Sequence, residues 1–333
     1  MAEPILRIDQ LRVDIPVEDR LRTVLHDVSM SLSEGEALGL VGESGAGKSM
    51  TARAVVRLLP EGSVVRGSIT FAGKDVCQLS RDALRDFYAR DIGVIFQDPR
   101  VHVNPVRTIG DFLREAMVTN LGFSVGDANV RALELLSQVG IADGRRRLRQ
   151  YPHQLSGGLL QRVMIAAALA PSPRLLIADE PTTALDVTTQ ADVIAILDEQ
   201  RRERGMALIF ITHDLDLASA VCDRTAVMYA GSICEEQASA KLNEDPRHPY
   251  TAALMRSRPR LEERGLMKVV PGRPVSAFER PPGCPFAPRC PYAAEQCRTE
   301  TPSLLSFPGG RVACLLADEL QASNNLDPLR HVR

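Results

Sequence analysis

Residues 42 to 49 combine three glycines, a lysine and two serines at a spacing that could hold phosphate groups. They are Gly42, Glu43, Ser44, Gly45, Ala46, Gly47, Lys48 and Ser49, directly after the apolar run 37–41. The glycines allow successive backbone N–H groups to point at one anion, while Lys48 supplies a cation and the Ser49 hydroxyl can reach Mg²⁺. The pattern predicts a nucleotide-binding loop; the alternative is an ordinary glycine-rich turn between a strand and a helix.

Two adjacent carboxylates, Asp179 and Glu180, follow the apolar run 175–178. A run of this kind is typical of a buried strand, and α/β sheets carry their ligand groups at the carboxyl ends of strands. Asp179 could hold a metal directly or through water, and Glu180 could orient and partly deprotonate an attacking water. An exposed acidic pair at a strand end remains the alternative.

Two further segments flank these carboxylates in the chain. Residues 155–158 read Leu-Ser-Gly-Gly, and residues 212–214 read Thr-His-Asp. Ser156 suits a helix N-cap, and the glycines after it expose backbone donors at the positive end of the helix dipole. With these segments in this order, the chain resembles an ATP-binding-cassette (ABC) ATPase over residues 5 to 236.

The resemblance implies a role for each matching residue. ATP would be held by residues 42–49 with Gln97 and Asp179, and Ser49 and Gln97 would bind Mg²⁺. The catalytic residues would be Lys48, Glu180 and His213, with His213 contacting the γ-phosphate. The residues that contact ATP held by a second subunit would be Ser156, Gly157, Gly158 and Asp186.

The N-terminal part departs from the family in one respect. Such ATPases usually stack adenine on an aromatic residue that precedes the phosphate-binding loop, but here Phe71 is the first aromatic residue. Ile15, Arg20 or Arg22 could cover the base instead, since a planar guanidinium can stack.

Alternating short apolar and longer amphipathic segments predict an α/β fold with a mainly parallel sheet. The expected strands cover 5–15, 37–41, 68–71, 92–96, 175–178, 208–212 and 225–229. The expected helices cover 110–119, 127–139, 156–170 and 189–204. We therefore expect an ATP-binding domain over 1–245, with an inserted helical subdomain at about 98–172.

The C-terminal part, 246–333, has a different composition. Its prolines, concentrated in residues 246–291, exclude long helices and central strands there, and Cys284, Cys290, Cys297 and Cys314 lie close together in the sequence. We expect a small proline-rich domain stabilised by these cysteines. Four thiolates suit zinc or a [4Fe–4S] cluster, and the gaps between them are wider than in most zinc ribbons. Reduced or disulfide-bonded cysteines are the third possibility.

The same C-terminal part resembles the ATPase subunits of bacterial oligopeptide and dipeptide importers. The resemblance rests on residues 246–251, Pro-Arg-His-Pro-Tyr-Thr, and on residues 284–291, Cys-Pro-Phe-Ala-Pro-Arg-Cys-Pro. It favours the iron–sulfur assignment for the cysteines. It implies a second cassette subunit, usually a paralogue, two transmembrane permease subunits and an extracytoplasmic substrate-binding protein. Relatives in this group also import nickel chelates, opines and glutathione, so these substrates remain open.

Composition limits the other function classes. The 40 Lys and Arg residues nearly balance the 42 Asp and Glu residues, and the formal charge is −2, so we expect no nucleic-acid partner. No run approaches the roughly 20 apolar residues of a membrane-spanning helix. We therefore expect a peripheral protein on the cytoplasmic face of the cell membrane. The competing classes are a soluble ABC ATPase acting on ribosomes or DNA and an exporter cassette, but this chain has neither a second cassette nor a coiled coil.

Overall fold

The computed structural model describes residues 3–183, 185–257, 270, 272–323 and 326. Pro259 and Pro271 of the C-terminal part, and Ala184 two residues before Asp186, lie outside the described residues. The strands are β1 Leu6–Val17, β2 Arg20–Leu32, β3 Ala37–Val41, β4 Val64–Phe71, β5 Lys74–Asp75, β6 Ile92–Ile95, β7 Leu175–Asp179, β8 Ala207–Thr212, β9 Arg224–Tyr229, β10 Ser232–Ala238, β11 Leu305–Phe307 and β12 Gly310–Val312.

Helices separate most of these strands. They are α1 Lys48–Val55, α2 Arg81–Asp86, α3 Pro99–His102, α4 Ile109–Leu121, α5 Val125–Gln138, α6 Gly144–Arg147, α7 Gly157–Leu169, α8 Val187–Arg204, α9 Leu215–Val221, α10 Ser239–Glu244, α11 Pro249–Arg256, α12 Glu295–Thr299 and α13 Ala317–Ala322. No helix in the described ranges has the length and apolar character needed to cross a membrane.

The chain forms two compact units, each built from separate stretches of sequence. The first contains residues 1–6, 32–37 and 71–211. Its strands β6, β7 and β8 are parallel and in register, with Ile95 opposite Ala178 and Ala178 opposite Phe210. Strands β7 and β8 are buried along their whole length, which explains why they read as unbroken apolar runs.

Helices α3 to α7 occupy residues 99–169 of this first unit without an intervening strand, as the sequence predicts. Their ends carry local signals that the sequence already contains. Thr108 caps α4 and Ser124 caps α5 through their side-chain oxygens, and Gly122 ends α4 with φ at +74°. Glycine tolerates this left-handed conformation, so it terminates the helix at little cost.

The second unit contains residues 7–31, 38–70 and 212–333. Strands β3 and β9 are parallel, β9 and β10 are antiparallel, and β12 joins β10 on one side and β11 on the other. Strands β2, β1 and β4 form a second sheet in that order. Strands β2 and β10 were not predicted from the sequence. Strand β10 has neither an apolar run nor an alternation, and in β2 the alternation of apolar and polar residues covers only 28–32.

Aromatic residues fill the core beside β9. Tyr229, Tyr250 and Phe286 are all less than 3% exposed and pack in one cluster with Val41 and Leu242. The ring centroids of Tyr229 and Tyr250 are 4.6 Å apart, and those of Tyr250 and Phe286 are 5.3 Å apart. Residues of the proline-rich C-terminal part therefore share a core with the strand that neighbours β3.

Candidate functional site

The predicted phosphate-binding loop, residues 42–49, connects β3 to the start of α1. Gly45 and Gly47 have φ of +79° and +105°, a conformation that disfavours any residue with a Cβ atom. A Cβ on Gly42 would lie 2.3 Å from the backbone oxygen of Met228, so this position has no room for a side chain. These glycines give the loop the tight path that a phosphate cradle requires.

Lys48 lies back across this loop. It is 5% exposed, and its Nζ donates to the backbone oxygens of Gly42 at 2.8 Å and Glu43 at 3.2 Å. The ammonium is therefore already placed among the backbone groups of the loop rather than in solvent. Less side-chain entropy must then be lost when an anion binds.

Glu43 is held by residues from the C-terminal part of the chain. The guanidinium of Arg289 donates to both carboxylate oxygens of Glu43, at 2.7 and 3.1 Å. The backbone N–H of Glu43 donates to the Tyr250 hydroxyl at 3.0 Å. Burial by itself lowers the pKa of Arg289, but the hydrogen bonds to Glu43 and to the Tyr229 hydroxyl raise that pKa above its usual value. Arg289 is therefore a buried cation at any physiological pH.

His213 and Asp214 follow β8 and belong to the second unit. The His213 side chain is exposed. Asp214 caps α9 by accepting from the backbone N–H groups of Asp216 and Leu217 at 2.8 and 3.3 Å, and its own N–H donates to the Thr212 hydroxyl at 3.0 Å. These bonds fix the turn in which His213 lies.

In the first unit, the two predicted carboxylates lie at the end of β7. Asp179 is 7% exposed. One carboxylate oxygen of Glu180 accepts from the Gln97 amide at 3.1 Å and from the Thr183 hydroxyl at 2.9 Å. Glu180 also has φ at +47°, which is uncommon outside glycine and occurs at functional sites. The structure thus brings Gln97 and Glu180 together, and the sequence analysis did not foresee Thr183.

The signature segment, residues 155–158, starts α7 as predicted. The Ser156 hydroxyl accepts from the backbone N–H of Leu159 at 3.4 Å, and a Cβ on Gly157 would meet nothing within 4 Å. A Cβ on Gly158 would lie 2.5 Å from the methyl carbon of Thr189. The N-terminus of α7 is therefore open at Gly157 and closely packed at Gly158.

Asp186 is linked to the start of α7 by Thr189, which packs against Gly158 and also bonds to Asp186. Its carboxylate accepts from the backbone N–H of Thr189 at 3.0 Å and from the Thr189 hydroxyl at 2.7 Å. These hydrogen bonds lower the pKa of Asp186. Asp186 thereby caps α8, and the structure brings Asp186, Thr189 and Gly158 together.

A groove in the first unit lies beside the position of Gln97. Its volume is about 310 Å³, and its walls include Tyr88, Phe96, Phe112 and Met164. The ring of Phe96, the residue before Gln97, stacks on His102 with a centroid distance of 4.2 Å. The groove is mainly apolar. Gln97, which donates a hydrogen bond to Glu180, directly follows Phe96 in the wall of the groove.

The four clustered cysteines line a single cavity of about 20 Å³ in the second unit, together with His248, Phe286 and Leu320. The backbone N–H of Cys284 donates to the oxygen of Cys297 at 2.8 Å. Burial raises the pKa of Cys290 to about 11 and that of Cys314 to about 12. In the described part of the chain, no three His, Cys, Asp or Glu side chains are grouped closely enough to hold a metal ion. Within the described residues, the four cysteines thus share one cavity without being grouped as a metal site.

The residues proposed to cover adenine differ in their exposure. Ile15 is buried within β1, whereas Arg20 and Arg22 are exposed on β2. Glu18 and Asp19 form the turn between these strands, both with positive φ, as in the tight hairpin turns that suit twisted strands. Only the two arginines are therefore accessible to a base.

The sequence did not lead us to predict that Arg289 and Tyr250 contact Glu43 of the phosphate-binding loop. Both lie inside segments used in the sequence analysis, 284–291 and 246–251. There, the cysteines and prolines were interpreted as signs of a small stabilised domain, and no role was assigned to the arginine or the tyrosine. A signal was present, because an arginine flanked by cysteines and prolines in a compact segment is a candidate for a buried ion pair.

Comparison with known proteins places these motifs in context. The family model described as "ABC transporter" matches residues 25–183, and the model described as "Oligopeptide/dipeptide transporter, C-terminal region" matches residues 234–297. The chain is 42% identical over 314 residues to the oligopeptide transport ATP-binding protein OppD of Salmonella typhimurium, covering 94% of each chain. It is also 42% identical over 309 residues to the dipeptide transport ATP-binding protein DppD of Escherichia coli, covering 92% of this chain and 94% of the relative.

Solved structures give the same result for the fold. A dimeric post-hydrolysis state of an ATP-binding cassette bound to ADP and Pi is similar with a TM-score of 0.63 and 26% identity, over 70% of this chain and 98% of that one. A component of an ABC transporter complex from Clostridium perfringens is similar with the same TM-score and identity, over 73% of this chain and 92% of that one.

Proposed function

Since this chain belongs to the family of ATP-binding subunits of ABC transporters, we propose that it hydrolyses ATP to drive the import of dipeptides or oligopeptides. One observation carries the proposal: the ABC motifs and the C-terminal region typical of oligopeptide and dipeptide transporters occur in the same chain. The relatives named for oligopeptide and dipeptide transport match it over more than nine-tenths of its length.

We assign ATP binding to the phosphate loop, Gly42 to Ser49, with Gln97 and Asp179. Lys48 would transfer its hydrogen bonds from the loop oxygens to the phosphates, and the backbone N–H groups of the loop would hold the phosphate oxygens. Ser49 and Gln97, with Asp179, have the oxygen donors that Mg²⁺ prefers. A bound Mg²⁺ would neutralise charge on the phosphates.

For hydrolysis we assign the proton-accepting role to Glu180. The Gln97 amide and the Thr183 hydroxyl donate to one of its oxygens. These hydrogen bonds hold the carboxylate just after β7, where it would accept a proton from the attacking water. His213 would contact the γ-phosphate and stabilise its charge as the bond breaks.

A second cassette subunit is required by the assignment of Ser156, Gly157, Gly158 and Asp186. Ser156 and the exposed backbone at Gly157 form the positive end of α7, and we propose that they bind the γ-phosphate of ATP held by the partner subunit. A related but different polypeptide is the favoured partner. ATP binding would close the pair, and hydrolysis would reopen it.

The groove lined by Phe96 and Phe112 is the surface we assign to the permease. A helix of a transmembrane subunit could place apolar side chains between these rings, and the motion would pass from Glu180 through Gln97 to Phe96. The complete importer would hold two permease subunits and an extracytoplasmic substrate-binding protein. This chain would then be bound at the cytoplasmic face of the membrane without entering it.

We assign the cysteine cavity to a [4Fe–4S] cluster held by Cys284, Cys290, Cys297 and Cys314, with zinc as the alternative. The metal centre would cross-link a segment that contributes few large apolar side chains of its own. Iron, sulfide and zinc analysis of anaerobically purified protein, with its visible spectrum, tests this. About four irons and four sulfides per chain are expected; stoichiometric zinc or no metal would withdraw the cluster.

The function is tested by Glu180→Gln in the assembled importer. We expect ATP to bind normally while hydrolysis falls by about 100-fold or more, as for loss of a general base. Peptide uptake by vesicles containing the importer should stop as well. Wild-type hydrolysis by Glu180→Gln would remove Glu180 from its role, and uptake of a nickel chelate, an opine or glutathione in place of peptides would correct the substrate.

A further inference from the structure

Glu43, the second residue of the phosphate loop, is bonded to the C-terminal part through both its side chain and its backbone. Arg289 holds the carboxylate with two hydrogen bonds of 2.7 and 3.1 Å. The Tyr250 hydroxyl accepts the backbone N–H at 3.0 Å. One residue of the loop is thus fixed at two points by residues more than 200 positions away in the sequence.

The surroundings of this contact make it strong. The Arg289 side chain is 3% exposed and that of Glu43 is 23% exposed, so water and salt screen the pair weakly. Arg289 also donates to the Tyr229 hydroxyl at 3.3 Å and to the Val270 oxygen at 3.2 Å. A paired, hydrogen-bonded guanidinium in this setting is held in a single geometry.

The charges explain why the contact matters for a phosphate site. Glu43 places a carboxylate inside a loop that must bind a polyphosphate, and like charges repel most strongly where water is excluded. Arg289 neutralises that carboxylate and holds it with two hydrogen bonds. The backbone carbonyl oxygen of Glu43 accepts from Lys48, so a shift of Glu43 would displace the cation that ATP needs.

We propose that Arg289 and Tyr250 are positioning residues for ATP, which set the phosphate loop through Glu43. This rests on the proposed assignment of residues 42–49 to ATP. In this proposal both residues act through their bonds to Glu43. Arg289 directly precedes Cys290. Unfolding of the cysteine-bearing segment would therefore remove Arg289 from Glu43 and change the position of the phosphate loop.

The experiment is an ATP titration of the full chain, purified anaerobically, with Arg289→Gln. We expect the Kd for ATP to rise about ten-fold, because the variant leaves a poorly screened carboxylate beside the phosphates. Adding Glu43→Gln to Arg289→Gln should restore the Kd to within about three-fold of wild type, because two facing amides can hydrogen-bond without net charge. A purely structural role for Arg289 predicts no such rescue.

Arg298→Gln is the matched control, since Arg298 lies in the same segment but pairs with Glu295 at 4.0 Å on the surface. It should bind ATP like wild type. If Arg289→Gln does not fold, Tyr250→Phe decides, because it removes a single oxygen and should raise the Kd about three-fold.

An unchanged Kd in folded Arg289→Gln, or in Tyr250→Phe, would overturn the proposal, as would a double variant no better than Arg289→Gln. These results remain distinct from failure of the proposed function. If the proposed function is wrong, the wild-type chain itself would not bind ATP, or the Lys48→Ala variant would bind ATP as well as wild type does.

Discussion

The phosphate loop and the signature segment are both glycine-rich motifs at the start of a helix, but they are held in different ways. The phosphate loop depends on distant residues, since Glu43 is fixed by Arg289 and Tyr250. The signature segment is capped by its own residues, since Ser156 accepts from the backbone N–H three residues later, although Gly158 also packs against Thr189. One motif is therefore positioned by the tertiary structure, and the other mostly by local sequence.

The glycines of the two motifs give the strongest test of this difference. In Gly42→Ala the new Cβ would lie 2.3 Å from the Met228 backbone oxygen, so the loop must move and ATP binding should fall about 100-fold or more. Gly157→Ala meets nothing within 4 Å, and the melting temperature of the chain should stay near that of wild type. ATP titration and thermal melts of both variants check this; equal effects would remove the contrast.

Loss of the cysteines should affect the two motifs unequally. Replacing Cys284, Cys290 and Cys297 with alanine should unfold the C-terminal part and weaken ATP binding about ten-fold through Arg289, without abolishing it. Limited proteolysis and ATP titration measure both effects. If the C-terminal part stayed protease-resistant and transport were unchanged, the structural role of the cysteines would fail.

The buried carboxylate of Glu235, next to the turn that leads to Tyr250, predicts that the stability of the chain depends on pH. Glu235 accepts the backbone N–H groups of Arg247 and His248 at 2.6 and 2.9 Å, which shapes the turn into Tyr250. Burial raises the pKa of Glu235 to about 7 and lowers that of His248 to about 4. Wild type therefore loses the stability contribution of neutral Glu235 as the pH rises through 7.

Glu235→Gln tests this effect because the glutamine stays neutral. Relative to wild type, the variant should gain about 2 to 3 kcal/mol of stability between pH 5 and pH 8. Paired thermal melts across this range measure the difference, in which the titration of other groups largely cancels. A constant difference would mean that Glu235 does not titrate in this interval.

The smallest effect is expected at the signature segment. Ser156→Ala removes one N-cap and should cost about 1 kcal/mol of stability. ATP affinity of the isolated chain should not change, because the cap acts within α7 alone. Ser156→Asp retains a cap and should recover the stability, which separates capping from any contact with a partner's ATP.

The sequence by itself determined the segments whose structure is set within a few residues. The phosphate loop, the carboxylates at the end of β7, the cap Ser156 and the helical region from α3 to α7 were all predicted, because backbone hydrogen bonding and side-chain periodicity act locally. It also indicated the four cysteines as a group, since their spacing is short.

Only the tertiary structure decided the rest. Strand β10 escaped prediction because its polar residues Glu235, Glu236 and Gln237 are buried between paired strands, which periodicity alone does not reveal. The bond from Arg289 to Glu43 spans 246 positions. Its energy comes from excluding water around an ion pair, and that exclusion exists only after Tyr229, Tyr250 and Phe286 have packed around β9.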